Sequence, residues 1–95
     1  MIVSFVGRLS EDLFFDRHTA ATRRFPPHLR DIAQRKLQYL NAAHRLADLR
    51  VPPGNRLEAL RGDLKGCHSI RINDQWRLVF RWDDDAHEVR VMDYH

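Results

Sequence analysis

Residues 67–82 read Cys67-His68-Ser69-Ile70-Arg71-Ile72-Asn73-Asp74-Gln75-Trp76-Arg77-Leu78-Val79-Phe80-Arg81-Trp82, and this stretch decides the fold. Its apolar residues return at every second position, the period of a half-buried β-strand. In the first half, His68, Ile70 and Ile72 share one face while Cys67, Ser69 and Arg71 share the other. Asn73-Asp74 is a hairpin turn signal. Beyond it Trp76, Leu78, Phe80 and Trp82 lie opposite Arg77, Val79 and Arg81. Two alternating runs joined by a tight turn pair antiparallel, with one greasy face and one face carrying arginines.

Moving outward, Asp83-Asp84-Asp85 is a second turn, and residues 88–94 form a closing strand. Upstream, residues 57–61 make a short strand, ended by a Gly62-Asp63 turn and a break at Gly66. Pro52-Pro53-Gly54-Asn55 is a loop by its turn chemistry. Before that the period changes to helical. Leu29, Ile32, Ala33, Leu37 and Leu40 form one apolar stripe, opened by Pro26-Pro27, since proline suits a first turn, and fading at residues 44–46. Residues 18–25 are polar and read as irregular. Ser10 is placed to cap a short helix with Glu11 and Asp12 in its first turn, followed by Leu13, Phe14 and Phe15. Residues 2–6 read as an N-terminal strand. Strand, helices and antiparallel meander add up to an α+β domain. Its helices are expected on one sheet face, leaving the face of Arg71 and Arg77 open.

Ninety-five residues make one domain, residues 1–95, with a thin core. Formal net charge is +3, and of the 16 basic residues only Lys36 and Lys65 are lysines. The remaining arginines favour planar, forked recognition of phosphate. A single cysteine, Cys67, excludes an internal disulfide and fits a reducing compartment. Arg8, Glu11 and Asp12 interrupt the apolar N-terminus, which is therefore no signal peptide, and no apolar run is long enough to span a bilayer. A cytoplasmic, membrane-free protein is expected.

The chemistry gathers at Asp93-Tyr94-His95, where a carboxylate, a phenol and an imidazole follow one another. Groups of such different acidity suit general acid–base catalysis. RNA can be cut without metal or cofactor when a base takes the 2′-hydroxyl proton, an acid protonates the leaving 5′-oxygen, and positive charge meets the phosphate. The products are a 2′,3′-cyclic phosphate and a 5′-hydroxyl, and DNA, lacking the 2′-hydroxyl, is spared. His95 is the natural proton shuttle, as acid or as base; Asp93 can orient it or accept a proton itself; Tyr94 can donate a hydrogen bond or stack on a base. Arg77 is the expected phosphate clamp, with Arg61, Arg71 and Lys65 as further phosphate contacts. His68 reads as a packed core histidine, and Trp76 and Trp82 as sheet packing. His18, His28, His44 and His87 lack metal-ligand spacing, and Cys67 has no partner for zinc, so neither metal nor cofactor is expected.

Several of these pieces occur in one order: Leu57-Glu58-Ala59-Leu60-Arg61-Gly62-Asp63, Gly66, Ser69-Ile70-Arg71-Ile72, Asn73-Asp74-Gln75-Trp76-Arg77 and Asp93-Tyr94-His95. Together they resemble the HigB branch of the RelE/ParE toxin superfamily, in detail through the C-terminal half and in layout through the N-terminal half. The resemblance implies a compact toxin that cuts messenger RNA on the translating ribosome and is silenced by a HigA-like antitoxin, of helix-turn-helix type. It links catalysis to Asp93, Tyr94, His95 and Arg77, and to Arg61, where lysine is common in the family. Some members carry a functional histidine in Leu-His-Pro-Leu; this chain has Glu58-Ala59 there, which departs from any mechanism with two site histidines. Two other readings stand beside the nuclease: a ParE-like, gyrase-directed toxin, and a noncatalytic RNA- or ribosome-binding module.

Overall fold

The computed structural model describes residues 1–94. Four strands, β1 (Glu58–Ala59), β2 (Cys67–Arg71), β3 (Trp76–Asp83) and β4 (Asp85–Asp93), form one antiparallel meander in the order β1-β2-β3-β4. Three helices, α1 (Arg8–Phe14), α2 (Ala20–Arg24) and α3 (Arg30–Ala42), precede the sheet. This is the α+β architecture expected.

The alternation of β3 sorts the two faces. Leu78 and Phe80 are fully buried with Ile70, Ala86 and Val89 against Leu37, Leu40 and Ala33 of α3. Trp76 meets Phe25 edge-on at 5.0 Å, Trp82 packs edge-on to Phe80, and His68 stacks on Phe80. These are the packing roles the pattern assigns to both tryptophans and to His68. The opposite face carries a second, smaller cluster: Leu60, Cys67 and Val79, flanked by Leu64, Met92 and Tyr94. That face is therefore partly roofed, because residues 60–64 fold back across it.

Turns follow their chemistry. Asn73 Oδ1 accepts from the backbone N–H groups of Gln75 and Trp76, at 3.0 and 2.7 Å, closing the β2–β3 hairpin. In the β3–β4 hairpin Asp84 takes φ 59°, a conformation aspartate tolerates. β4 begins at Asp85, three residues before the expected strand. Its pairing with β3 contains a bulge, so that Arg81 faces His87 while Val79 faces Arg90. Glu88 lies at φ 52° within it.

The N-terminal half departs from expectation in three places. Residues 2–6 run parallel to β4 through isolated bridges, Ile2 with Ala86 and Phe5 with Val89, rather than as a full strand; the bulged stretch of β4 interrupts a continuous ladder. Ser10 is no cap: α1 begins at Arg8 after Gly7, and the buried Ser10 hydroxyl donates to the Val89 carbonyl at 3.0 Å, tying α1 to β4. Residues 18–25, read as irregular, contain α2, held by a reciprocal cap in which Thr22 N–H donates to Thr19 Oγ1 and Thr19 N–H to Thr22 Oγ1. A five-residue helix carries too little periodicity to announce itself, and only cap chemistry supports it.

A buried polar pair joins α3 to the loop before β1. Lys36 lies on the apolar face of α3, and its Nζ donates to Oδ1 of Asn55, which is wholly buried. Asn55 Nδ2 donates in turn to the carbonyls of Leu49 and Val51. Desolvation by burial, then the charges of Arg71 and Arg35, hold Lys36 below the ordinary lysine range.

Replacing Asn55 strands a buried ammonium and two carbonyls, so Asn55→Ala should cost about 2–3 kcal/mol and lower the melting temperature by roughly 10–20 °C. A calorimetric shift of only a few degrees would contradict this account of the loop. Because the folded-state affinity of Lys36 for its proton is depressed, the unfolded chain binds more protons between the folded and unfolded pKa values, and stability rises with pH across that window. The urea midpoint of the wild type, relative to Lys36→Met, should therefore climb as the alkaline limit of lysine titration is approached. Parallel pH profiles for the two proteins would refute it.

Candidate functional site

The face of β3 that points away from the helices carries Arg77, whose Cα partners are Arg71 on β2 and Met92 on β4. The guanidinium is largely covered, with 14% of its side-chain surface exposed. It reaches across β2, where Arg77 Nη1 donates to Ser69 Oγ at 3.0 Å, and on to β1, where Nη2 lies 3.4 Å from Glu58 Oε1. Register explains this reach: Glu58 sits opposite Ser69, and both project onto the arginine face. The Tyr94 ring lies beside the same guanidinium, its centroid 5.5 Å from Cζ, within cation–π range. Tyr94 is placed there by its own backbone N–H, which donates to the Gln75 carbonyl at 2.7 Å and prolongs the β3–β4 pairing past β4.

An open groove runs along this edge, lined by Glu58, Ala59, Leu60, Arg61 and Tyr94. Leu60 is the anchor. Its side chain is buried in the small cluster and its N–H bonds the Cys67 carbonyl at 2.9 Å, which leaves Arg61 exposed at the rim. Glu58 and Tyr94 on the groove's lining both reach a fixed cation, Arg77, beside it, and a second arginine, Arg61, lines the groove itself. Such a site can hold a phosphodiester by forked, charge-assisted hydrogen bonds and present proton-handling groups to it.

The structure brings together three of the sequence-derived candidates, Arg77, Tyr94 and Arg61. The others lie apart. Asp93 pairs with Trp76, so strand alternation turns it to the side opposite Tyr94, and its exposed carboxylate accepts from Gln75 Nε2 at 2.9 Å. Arg71 is half-buried next to Arg77 but is ion-paired with Asp74 of the hairpin turn. Lys65 is exposed at the end of the short turn Gly62–Leu64, outside the groove lining. His95 lies outside the described residues. Further along the same face Arg81 pairs with Glu88 at 2.7 Å, beside Arg90, and Gly66, at φ 93°, lets the backbone pass where a Cβ would meet Arg81 Nη1 at 2.9 Å.

Two residues that contact Arg77 were not identified from the sequence, Ser69 and Glu58. Alternation places Ser69 on the correct face, but only the three-strand register shows that it holds the Arg77 fork. Glu58 stood out merely as a departure from Leu-His-Pro-Leu. Among the described residues no group of three or more His, Cys, Asp or Glu is placed to hold a metal ion, and no helix is long and apolar enough to cross a membrane.

Comparison with known proteins gives this geometry a family. Residues 5–95 match the family model of the RelE-like toxin of the type II toxin–antitoxin system HigB. The chain is 41% identical to Toxin HigB-1 of Vibrio cholerae serotype O1, an alignment that spans all of this chain and 98% of that protein. It is also 33% identical to an uncharacterized protein of Haemophilus influenzae, over 76% of this chain and 71% of that one. A family match that runs through nearly every element described above, and a relative aligned along its length, establish that the chain belongs to the HigB family of RelE-like toxins of type II toxin–antitoxin systems.

Proposed function

We propose that this toxin is an endoribonuclease that cuts messenger RNA on the translating ribosome, in the cytoplasm, by attack of a 2′-hydroxyl on the neighbouring phosphate, without metal. The observation that carries the reading is the Arg77 guanidinium, held by Ser69 and lying beside the ring of Tyr94, a residue that lines an open groove. Such a fixed cation meets the negative charge that grows on a pentacoordinate phosphate, and it needs no reorganisation at the moment of reaction. Arg61 at the rim adds a second cation for the flanking phosphate. Tyr94 is placed to stack on a base or to donate to the phosphate. His95, adjoining Tyr94 in the chain, supplies the proton relay, and Asp93 supports it from the end of β4. Arg71 and Lys65 extend the basic surface toward more distant phosphates.

A type II toxin has a protein antitoxin as its partner. In this reading the antitoxin is HigA-like, of helix-turn-helix type, and suppresses the cleavage; the ribosome presents the messenger.

Primer extension on a reporter messenger in a translating extract should show new ends with the wild-type protein, none without translation, and none with His95→Ala. Arg77→Ala should slow cleavage by about 10²–10³-fold, the loss seen when one preorganised charge donor is removed, with Arg77→Lys recovering only part because a point charge replaces a fork. Folded wild-type protein that leaves the messenger intact while provoking DNA damage would replace the nuclease with a gyrase-directed toxin.

A further inference from the structure

Resting on the nuclease reading and extending it, we propose a second phosphate seat: Arg81 and Arg90 hold a phosphodiester of the same messenger strand, more than one nucleotide from the phosphate at Arg77, and Glu88 occupies the fork of Arg81 until it arrives. The seat is a separate pocket on the arginine face. Arg81 and Arg90 line it together with Glu88, Asp63 and two apolar side chains, Val6 and Leu64. Arg81 stands opposite Cys67 and Arg90 opposite Val79, both members of the small cluster on that face. The two arginines therefore leave the sheet on the same side as Arg77.

The short turn Gly62–Leu64 stands between the two sites. Arg61, just before it, lines the groove of Glu58 and Tyr94, whereas Asp63 and Leu64 line the pocket of Arg81. Arg81 follows Arg77 by four residues of β3, about 13 Å along a strand. A messenger seated on Arg77 and crossing this turn, where Arg61 and Lys65 are exposed, thus reaches Arg81 after more than one nucleotide.

Arg81 is placed rather than loose. Gly66 leaves room for its guanidinium, since a Cβ there would meet Nη1 at 2.9 Å, and its Nε donates to Glu88 Oε2 at 2.7 Å. Glu88 is anchored through its backbone, at φ 52° in the bulge, with its N–H donating to Ser4 Oγ at 2.9 Å. Its carboxylate is free to swing. The side chains of Arg81 and Glu88 are 50% and 57% exposed, and exposed pairs of this kind contribute little. Arg90 makes no ion pair or side-chain hydrogen bond among the described residues. The carboxylate of Glu88 thus marks the place that an anion takes. A phosphodiester displaces it by accepting from two nitrogens of the fork, with Arg90 as a second cation and with Val6 and Leu64 against the ribose. Asp63, the other acid in the lining, is exposed on the turn, where salt and solvent screen it.

The test is the affinity of the whole protein for ribosomes programmed with a reporter messenger that carries 2′-deoxyribose at the cut mapped by primer extension. Wild type, Arg81→Gln, Arg81→Lys, Glu88→Gln and the double variant Arg81→Gln/Glu88→Gln are compared across a salt series, and a thermal melt verifies each fold. Arg81→Gln should bind on the order of tenfold more weakly, with the slope of log affinity against log salt reduced by about one. Arg81→Lys should recover only part, because a point charge replaces a fork. Glu88→Gln should bind roughly two- to fivefold more tightly, as the fork loses its internal competitor. The double variant separates a seat from bulk charge. It has the net charge of the wild type, yet should stay as weak as Arg81→Gln, because Glu88→Gln gains only through the fork. Recovery of wild-type affinity by the double variant would reduce the pair to surface charge and overturn the proposal, as would unchanged binding by Arg81→Gln. Messengers shortened to end beside the cut, on each side in turn, identify the strand: one truncation should abolish the difference between Arg81→Gln and wild type. A difference that survives both would place the phosphate on ribosomal RNA and overturn the messenger seat. A wild-type protein that binds without cutting would remove the nuclease reading, and the same affinities on an unmodified messenger would still decide the seat.

Discussion

The arginine face is held in place by what lies behind it. Leu78 and Phe80 are wholly buried on one side of β3, and their burial leaves Arg77 no direction but the other. Each such side chain contributes roughly 1.5–3 kcal/mol when taken from water, far more than any exposed ion pair returns. The hydrophobic term thus fixes the strand, the strand fixes the direction of the guanidinium, and polar contacts with Ser69 and Glu58 adjust only its final angle. An arginine set in this way is preorganised, because the energy that orients it is spent in folding.

Charge on this face is balanced locally. Arg77 stands against Glu58, Arg81 against Glu88 and Arg71 against Asp74. Each acid partner is at least half exposed, so each pair is weak and readily exchanged for a stronger anion. Such an arrangement keeps the free protein from being a bare cationic surface while leaving the forks available to a polyanion. It also accounts for the modest net charge of +3 in a chain whose bases are nearly all arginine.

Much of the sheet was legible because burial on one face imposes a period of two on residues 67–82, and the turn chemistry of Asn73 marks its hairpin. The stripe of α3 was legible for the same reason at a period of 3.6. What escaped were features set by partners distant in sequence. Ser10 looks like a cap until Val89, 79 residues away, takes its hydroxyl. Lys36 occupies a position on the buried face of α3 that the pattern leaves to an apolar residue, and the hydrogen bond to Asn55 helps to make it tolerable there. Around the groove, Arg77, Arg61 and Tyr94 were readable as residue types on a face. That Glu58 joins them depends on the register of β1 with β2, which a two-residue strand cannot express in its own sequence.

The bulge at Glu88 sets the phase of everything after it. Between the pairs Arg81–His87 and Val79–Arg90, β4 advances three residues while β3 advances two. Up to Ala86, even-numbered residues of β4 enter the core; beyond it, Val89 and Val91 do, and Arg90, Met92 and Tyr94 turn outward. Uninterrupted pairing would set Arg90 across from Leu78 and carry Tyr94 to the far side of the sheet from Arg77. The assembly of the groove is therefore a matter of parity: substitutions along β4 change its contents, whereas loss or gain of one residue in this strand inverts it.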